Sequence, residues 1–292
     1  MANFIYILLA GSLWGIISIF VHVLQLYGFT SMQCVAIRAS FTTIILGIAF
    51  LLFNRNAFVV RIRDFLYFLG TGLASIVFFN FCYFTAIQLV GGASIPALLL
   101  YTAPAIVMIL SVLLFHEEFT RQKGIALVLT MIGLILVTCT SSDIEGSTIS
   151  VKAILYGLGA GLGYAMYSIF SKYLVQRYSA MTITFYTFLM ATFATVPISG
   201  LMEQVSLLFT VSIFPYAIGL AVICTVMPFA FYTKGLSGIE ASQASILATI
   251  EPVVAGIVGV VYFGESLSIL ECLGIALVIS SIVILNKNVT NK

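Results

Sequence analysis

The sequence predicts an all-α integral membrane protein: ten transmembrane helices built as two inverted five-helix repeats. Three observations carry that reading. The 292 residues are 62% hydrophobic and only 8% charged, against about 25% charged in a typical soluble domain. No water-facing surface can be made from this composition, so the bilayer is the solvent. The chain also repeats itself. Ala10-Gly11-Ser12-Leu13-Trp14, leading to Ser18-Ile19-Phe20, returns 150 positions later as Ala160-Gly161-Leu162-Gly163-Tyr164, leading to Ser168-Ile169-Phe170. Gly124-Ile125-Ala126-Leu127 returns as Gly274-Ile275-Ala276-Leu277, while Pro104 and Glu117 recur at a shift of 148 as Pro252 and Glu265. Finally, each copy holds five apolar runs. An odd number of crossings makes the second copy enter the membrane from the opposite face, an arrangement that puts a substrate site where the halves meet.

Charges or turn residues bound each run. Helix 1 is read over 4–24; Met1-Ala2-Asn3-Phe4 lacks the basic start of a cleaved signal peptide, and the run matches the opening of the second copy. Helix 2, 32–53, carries Arg38 inside it and stops before Arg55. Helix 3, 65–87, follows Arg61 and Arg63; helix 4, 93–115, contains Pro104 and ends at His116-Glu117-Glu118. Helix 5 runs over 121–140, and the polar segment Thr140 to Ser147 joins the copies. Helix 6, 151–174, holds Gly157, Gly159, Gly161 and Gly163, residues that let neighbouring backbones approach. Helices 7, 8, 9 and 10 follow over 180–200, 212–235, 241–263 and 268–286. The repeats therefore cover 4–140 and 151–286.

Orientation comes from the positive charges. With the N-terminus in the cytoplasm, Arg55, Arg61, Arg63, Arg121, Lys123, Lys172, Arg177, Lys234, Lys287 and Lys292 all fall on the inner side, ten of the twelve Lys and Arg. Only Lys152 falls outside, and Arg38 lies within helix 2. Both termini are expected inside. Spans and short loops use almost the whole length, and no GxxxxGK[ST] loop occurs, so an ATP-driven motor on this chain is excluded. The five cysteines show no CxxC spacing, and His116-Glu117-Glu118 is not HExxH. Neither cofactor nor metal is expected. The expected partners are a small-molecule substrate and the lipid bilayer, with no nucleic acid; the assembly is read as a monomer or homodimer.

A few polar groups lie deep in the spans. Glu251 stands ten residues into helix 9, near the bilayer midplane at about 1.5 Å per residue. A charge there costs about 2.5–3.5 kcal/mol on insertion scales, so it faces a cavity or a partner. It is either a proton carrier or amine ligand, or a structural acid bonding Arg38 or freed backbone groups next to Pro252. Arg38 lies at similar depth; an ion pair with Glu251 and snorkelling to the outer headgroups are both open. Trp14, the single tryptophan, has Tyr164 as its repeat partner, and Ser18 and Ser168 follow each by four residues on the same face. They either line a substrate space or pack the seam between helices 1 and 6. Asn80 and Tyr83 share a face of helix 3, and Asn80 needs a hydrogen-bond partner at that depth. Tyr101 precedes Pro104 in helix 4. Glu117 and Glu265, each just before a following helix, read as caps of that helix.

Taken together, Trp14-Gly15, Arg38, Pro104 with Phe115-His116-Glu117-Glu118, Glu251-Pro252-Val253 and Phe263-Gly264-Glu265 resemble the drug/metabolite transporter superfamily, in its EamA-type ten-helix branch, over essentially the whole chain. The resemblance implies a secondary transporter, an exporter of small metabolites such as amino acids or drugs across a bacterial inner membrane. It also implies a central cavity lined by helices 1, 3, 4 and 6, 8, 9, with helices 5 and 10 apart from it. A membrane-embedded enzyme acting on lipid-linked substrates is the alternative; no HExxH, paired aspartates or Ser/His set supports it. A channel ranks third, because no ring of charges is visible.

Overall fold

The computed structural model describes residues 1–138 and 150–289; Cys139 and the polar joint read at 140–147 lie outside them. Among the described residues, ten helices are long and apolar enough to cross a membrane. They are α1 Ala2–Leu26, α2 Ser31–Phe53, α3 Ile62–Val90, α4 Ser94–Phe115 and α5 Arg121–Thr138, then α6 Val151–Leu174, α7 Ala180–Ser199, α8 Phe214–Leu236, α9 Ala241–Phe263 and α10 Ile269–Asn286. No strand occurs among the described residues. The start of helix 3 comes earlier than expected. Ile62–Asp64 forms a 3-10 lead-in, and buried Asp64 accepts from Arg177 at 2.6 Å and from the Tyr178 hydroxyl at 2.7 Å.

The helices do not sort into two bundles of five. α1 packs along α8 and α6 along α3; α2 lies on α7, and α5 on α10. α6 also covers both segments of α4, and α1 both segments of α9. Exchanging α1–α5 with α6–α10 swaps α1–α8 with α6–α3 and α6–α4 with α1–α9, and carries α2–α7 and α5–α10 onto themselves. Small residues make the approaches close. A Cβ on Gly133 would stand 2.7 Å from the Gly274 carbonyl oxygen, and one on Gly274 would stand 2.5 Å from that of Gly133. Hydroxyls also bond between helices, Thr130 of α5 to Ser281 of α10 at 2.8 Å and Thr187 of α7 to Thr71 of α3 at 2.8 Å. Each such bond contributes about 0.6 kcal/mol in a bilayer. The outward faces carry exposed apolar side chains, among them Ile44, Ile48, Leu113, Val128 and Ile279, as lipid contact requires.

Four of the helices are irregular in matched pairs. α4 breaks into Ser94–Leu100 and Ala103–Phe115, and α9 into Ala241–Leu247 and Ile250–Phe263. The breaks lie just ahead of Pro104 and Pro252, whose rings cannot bond the carbonyls of Leu100 and Ala248 four residues back and crowd them. α3 and α8 contain π-helical stretches, Gly70–Phe78 and Val222–Val226. In both, a hydroxyl reaches the carbonyl five residues back: Ser75 to Gly70 at 3.1 Å and Thr225 to Leu220 at 2.9 Å. α1 has one further turn, at Ile16, which the unbroken α6 lacks.

One end of the molecule is sealed. Near the N-terminus, the first segment of α9 packs on the second segment of α4, on α5 and on α6. Glu117 accepts from the backbone N–H groups of Ala241 at 2.7 Å and Ser242 at 3.2 Å, and from the Ser242 hydroxyl. Lys123 pairs with Glu240 and donates to the Glu118 carbonyl at 2.6 Å. Lys172 donates to the carbonyls of Leu236 at 3.1 Å and Ile239 at 2.5 Å. The expectation that Glu117 caps the next helix is corrected here: it caps α9, 124 residues away, while Thr120 accepts from the Lys123 backbone at 3.4 Å at the start of α5. At the opposite end, the first segment of α4 makes no comparable contact with α9, α10 or α1.

Candidate functional site

The matched breaks and glycines make a central space. A Cβ on Gly11 would stand 2.8 Å from the Ala248 carbonyl, at the α9 break, and one on Gly161 would stand 3.0 Å from the Leu99 carbonyl, at the α4 break. A Cβ on Gly15 would come within 2.7 Å of the Glu251 carbonyl. The repeated Ala-Gly pairs thus let α1 and α6 press against the two broken helices, which holds Glu251 in the first turn of the second α9 segment. A carboxylate is favoured there by the free N–H groups of the helix start.

A cavity of about 270 Å³ lies between the halves, lined from α1, α2, α3, α4, α6, α8 and α9. None of its lining comes from α5, α7 or α10. It reaches Val21 and Ser31, toward the end opposite the N-terminus. Its volume sits just below the usual 300–1,000 Å³ of small-molecule pockets. Its walls are chiefly aromatic. Trp14 stands 5.1 Å from Phe229, 5.5 Å from Tyr232 and 6.4 Å from Tyr164 between ring centres, and Tyr167 stands 4.9 Å from Phe229. Hydroxyls tie the wall together, with Ser168 and Tyr232 2.6 Å apart, and Tyr167 and Thr233 2.7 Å apart.

Two ionic groups face this space. Glu251 accepts from the Tyr164 hydroxyl at 2.9 Å. Arg38 is buried, and its Nε has no partner. Among the described residues the ion pairs are Lys123–Glu240 and Arg177–Asp64, so Arg38 and Glu251 share the cavity without a direct bridge. A buried guanidinium without a bonded partner is costly, and the cavity offers room for an anion beside it.

Of the residues singled out from the sequence, Trp14, Arg38, Asn80, Tyr83, Tyr101, Tyr164 and Glu251 all line the cavity. The Asn80 amide donates to the Ile76 carbonyl at 2.7 Å, within its own helix. Ser18 is half-buried and is not among the lining residues, whereas Ser168 is. The turn at Ile16 breaks the i, i+4 relation that would have set Ser18 beside Trp14. Tyr167, Phe229 and Tyr232 line the cavity as well; Tyr167 and Tyr232, like Tyr186, are aromatic-hydroxyl candidates that the sequence sets no higher than its other tyrosines, and Phe229 is not a candidate from sequence. Their signal was the spacing Tyr164-Tyr167-Ser168 and Phe229-Tyr232, three and four residues apart on one helix face.

The EamA-like transporter family matches the chain twice, over residues 1–139 and 151–287. The chain belongs to the EamA-like transporter family. It is a multi-pass membrane transporter. An uncharacterised transporter of Archaeoglobus fulgidus is 35% identical over 73% of this chain and 75% of that protein. YwfM of Bacillus subtilis, also an uncharacterised transporter, is 28% identical over 70% of this chain and 68% of its own. The threonine/homoserine exporter RhtA of Escherichia coli K12 is 26% identical over 84% of this chain and 78% of RhtA. A crystal structure superposes with a TM-score of 0.79, covering 97% of this chain and 96% of the other at 16% identity, a likeness of fold. This EamA-like transporter therefore moves a small molecule across the bilayer that embeds it.

Proposed function

We propose that this transporter exports small metabolites such as amino acids or drugs across a bacterial inner membrane, with both termini cytoplasmic. The repeats 4–140 and 151–286, inverted relative to one another, alternate in opening the cavity to either side. Substrate leaves in exchange for a proton carried by Glu251. One observation carries the reading: a single cavity between the halves holds one carboxylate and one guanidinium that do not pair, set among aromatic rings. Such a site suits a molecule with both an ammonium and a carboxylate group, the cation resting on Glu251 and ring faces, the anion on Arg38. The name of RhtA, an exporter of two such molecules, points the same way. The excess of Lys and Arg at the N-terminal end supports the orientation.

The test is flux in sealed proteoliposomes. Purified protein is expected to catalyse saturable uptake of labelled threonine or homoserine, with counterflow when the same compound is loaded inside. Flux that grows linearly with concentration and shows no counterflow would replace the transporter cycle with a pore. Saturable counterflow of other small molecules, with none of amino acids, would move the substrate class elsewhere.

A further inference from the structure

Glu117 and Glu265 hold the same place in the two repeats, 148 residues apart, yet their surroundings differ. Each follows a left-handed residue that ends its helix, His116 at φ 55° and Gly264 at φ 72°. In each turn the glutamate N–H donates to the carbonyl six residues back, Glu117 to Ser111 at 3.3 Å and Glu265 to Gly259 at 3.0 Å. The two carboxylates are thus carried by the same kind of turn. Glu117 is buried and grips the start of α9 through Ala241 and Ser242. Glu265 is exposed, and among the described residues its side chain makes neither hydrogen bond nor ion pair. The dipeptide that Glu117 holds, Ala241-Ser242, recurs 148 residues earlier as Ala93-Ser94, where α4 begins.

We propose that Glu265 is the latch of the far gate: when the cavity closes at that end and opens at the N-terminal end, its carboxylate takes the backbone N–H groups of Ala93 and Ser94. The grip repeats, with the repeats exchanged, the one Glu117 has on Ala241 and Ser242. The inference rests on the alternating-access reading above, in which each repeat adopts the other's arrangement in turn. A carboxylate accepting several N–H and O–H donors forms strong, charge-assisted bonds. Breaking one latch returns its carboxylate to water while the other enters its helix start, so the exchange nearly conserves bonding. The two latches are not equal. Lys123–Glu240 reinforces the one at the N-terminal end, and Gly92 stands where Glu240 would have its counterpart. The far latch lacks that ion pair, which favours the arrangement seen here.

The test is cross-linking in native membranes, in a chain freed of its own cysteines and carrying a protease site at residue 142. One variant pairs Ser266→Cys with Ala93→Cys at the far gate; the other pairs Glu118→Cys with Ala241→Cys at the N-terminal gate. A short bismaleimide followed by protease leaves linked halves together on a gel. Both pairs are expected to link, and Glu265→Gln is expected to slow far-gate linking about tenfold while leaving the other pair as fast or faster. Far-gate linking that Glu265→Gln does not slow overturns the proposal, as does a far pair that never links while its counterpart does. The readout needs no substrate. Latches that behave as described in a protein without counterflow would leave this inference standing and sink the transport reading.

Discussion

Glu251→Gln separates proton coupling from scaffolding. Glu251 is the one carboxylate lining the cavity among the described residues, and its side chain accepts a single hydrogen bond, from the Tyr164 hydroxyl at 2.9 Å. Glutamine keeps the volume and can still accept that bond, but it cannot exchange a proton. One carboxylate means one proton per cycle. With a net-neutral substrate, one elementary charge crosses per turnover, worth about 2.3 kcal/mol per 100 mV. At about 1.4 kcal/mol per tenfold, that drives a substrate gradient of about 45-fold. The assay uses inside-out vesicles or proteoliposomes under an imposed potential and pH gradient. Under about 100 mV alone, wild type should accumulate substrate against its gradient by up to that factor, and each unit of pH difference should add about tenfold. The variant should bring the ratio to about one while retaining substrate-for-substrate exchange. Folded yield should stay close to wild type, because no ion pair with Arg38 is broken. Uphill, pH-driven accumulation by a well-folded Glu251→Gln protein would refute the coupling role.

Arg38→Met should leave thermal stability unchanged or raised, since no bond of Arg38 is lost, while weakening binding of carboxylate substrates by about ten- to a hundredfold in a ligand-induced melting shift. A drop in melting temperature with affinity intact would assign Arg38 to structure instead. Gly161→Val should cost about 1–3 kcal/mol or more in detergent melts, because its Cβ would stand 2.6 Å from Thr102 Oγ1 and 3.0 Å from the Leu99 carbonyl, whereas Gly256→Ala, with 3.7 Å to Ile275, should be near neutral. Similar effects from both would remove the close approach of α6 to the α4 break as the reason for the glycine. A protease-cleavable tag after Lys292 should be protected in intact cells, and Lys152→Cys should react with a membrane-impermeant thiol reagent; the opposite pattern would invert the orientation.

The spans were legible because a bilayer leaves few solutions to a chain this apolar, and the edges of most helices agree within a few residues. The cavity's membership was partly legible for the same reason: a charge or amide at mid-depth must face inward, which drew attention to Glu251, Arg38 and Asn80. What the sequence concealed was local geometry. Ser18 and Ser168 look equivalent, yet one turn at Ile16 separates their fates. Tyr167, Phe229 and Tyr232 were hidden by abundance, in a chain that is 13% aromatic. Glu117 looked like a local cap because nothing in its neighbourhood announces a partner 124 residues away. Arg38 and Glu251 could have been a closed pair; in the folded chain they stand apart in one cavity.

The crossed pairing of the helices has a consequence for how the molecule is made. A ribosome delivers α1 to α5 first, and the chief partner of each emerges later: α8 for α1, α7 for α2, α6 for α3 and α4, α10 for α5. Until then, the glycine faces of α1 and the buried hydroxyls of Thr42, Thr71 and Thr130 must be covered by lipid or by insertion machinery. Neither repeat covers its own packing faces, although each is a unit of sequence. The last helix to enter, α10, completes a seam whose other side was inserted five helices earlier, so a chain shortened by that single helix strands the glycine and threonine face of α5 in lipid.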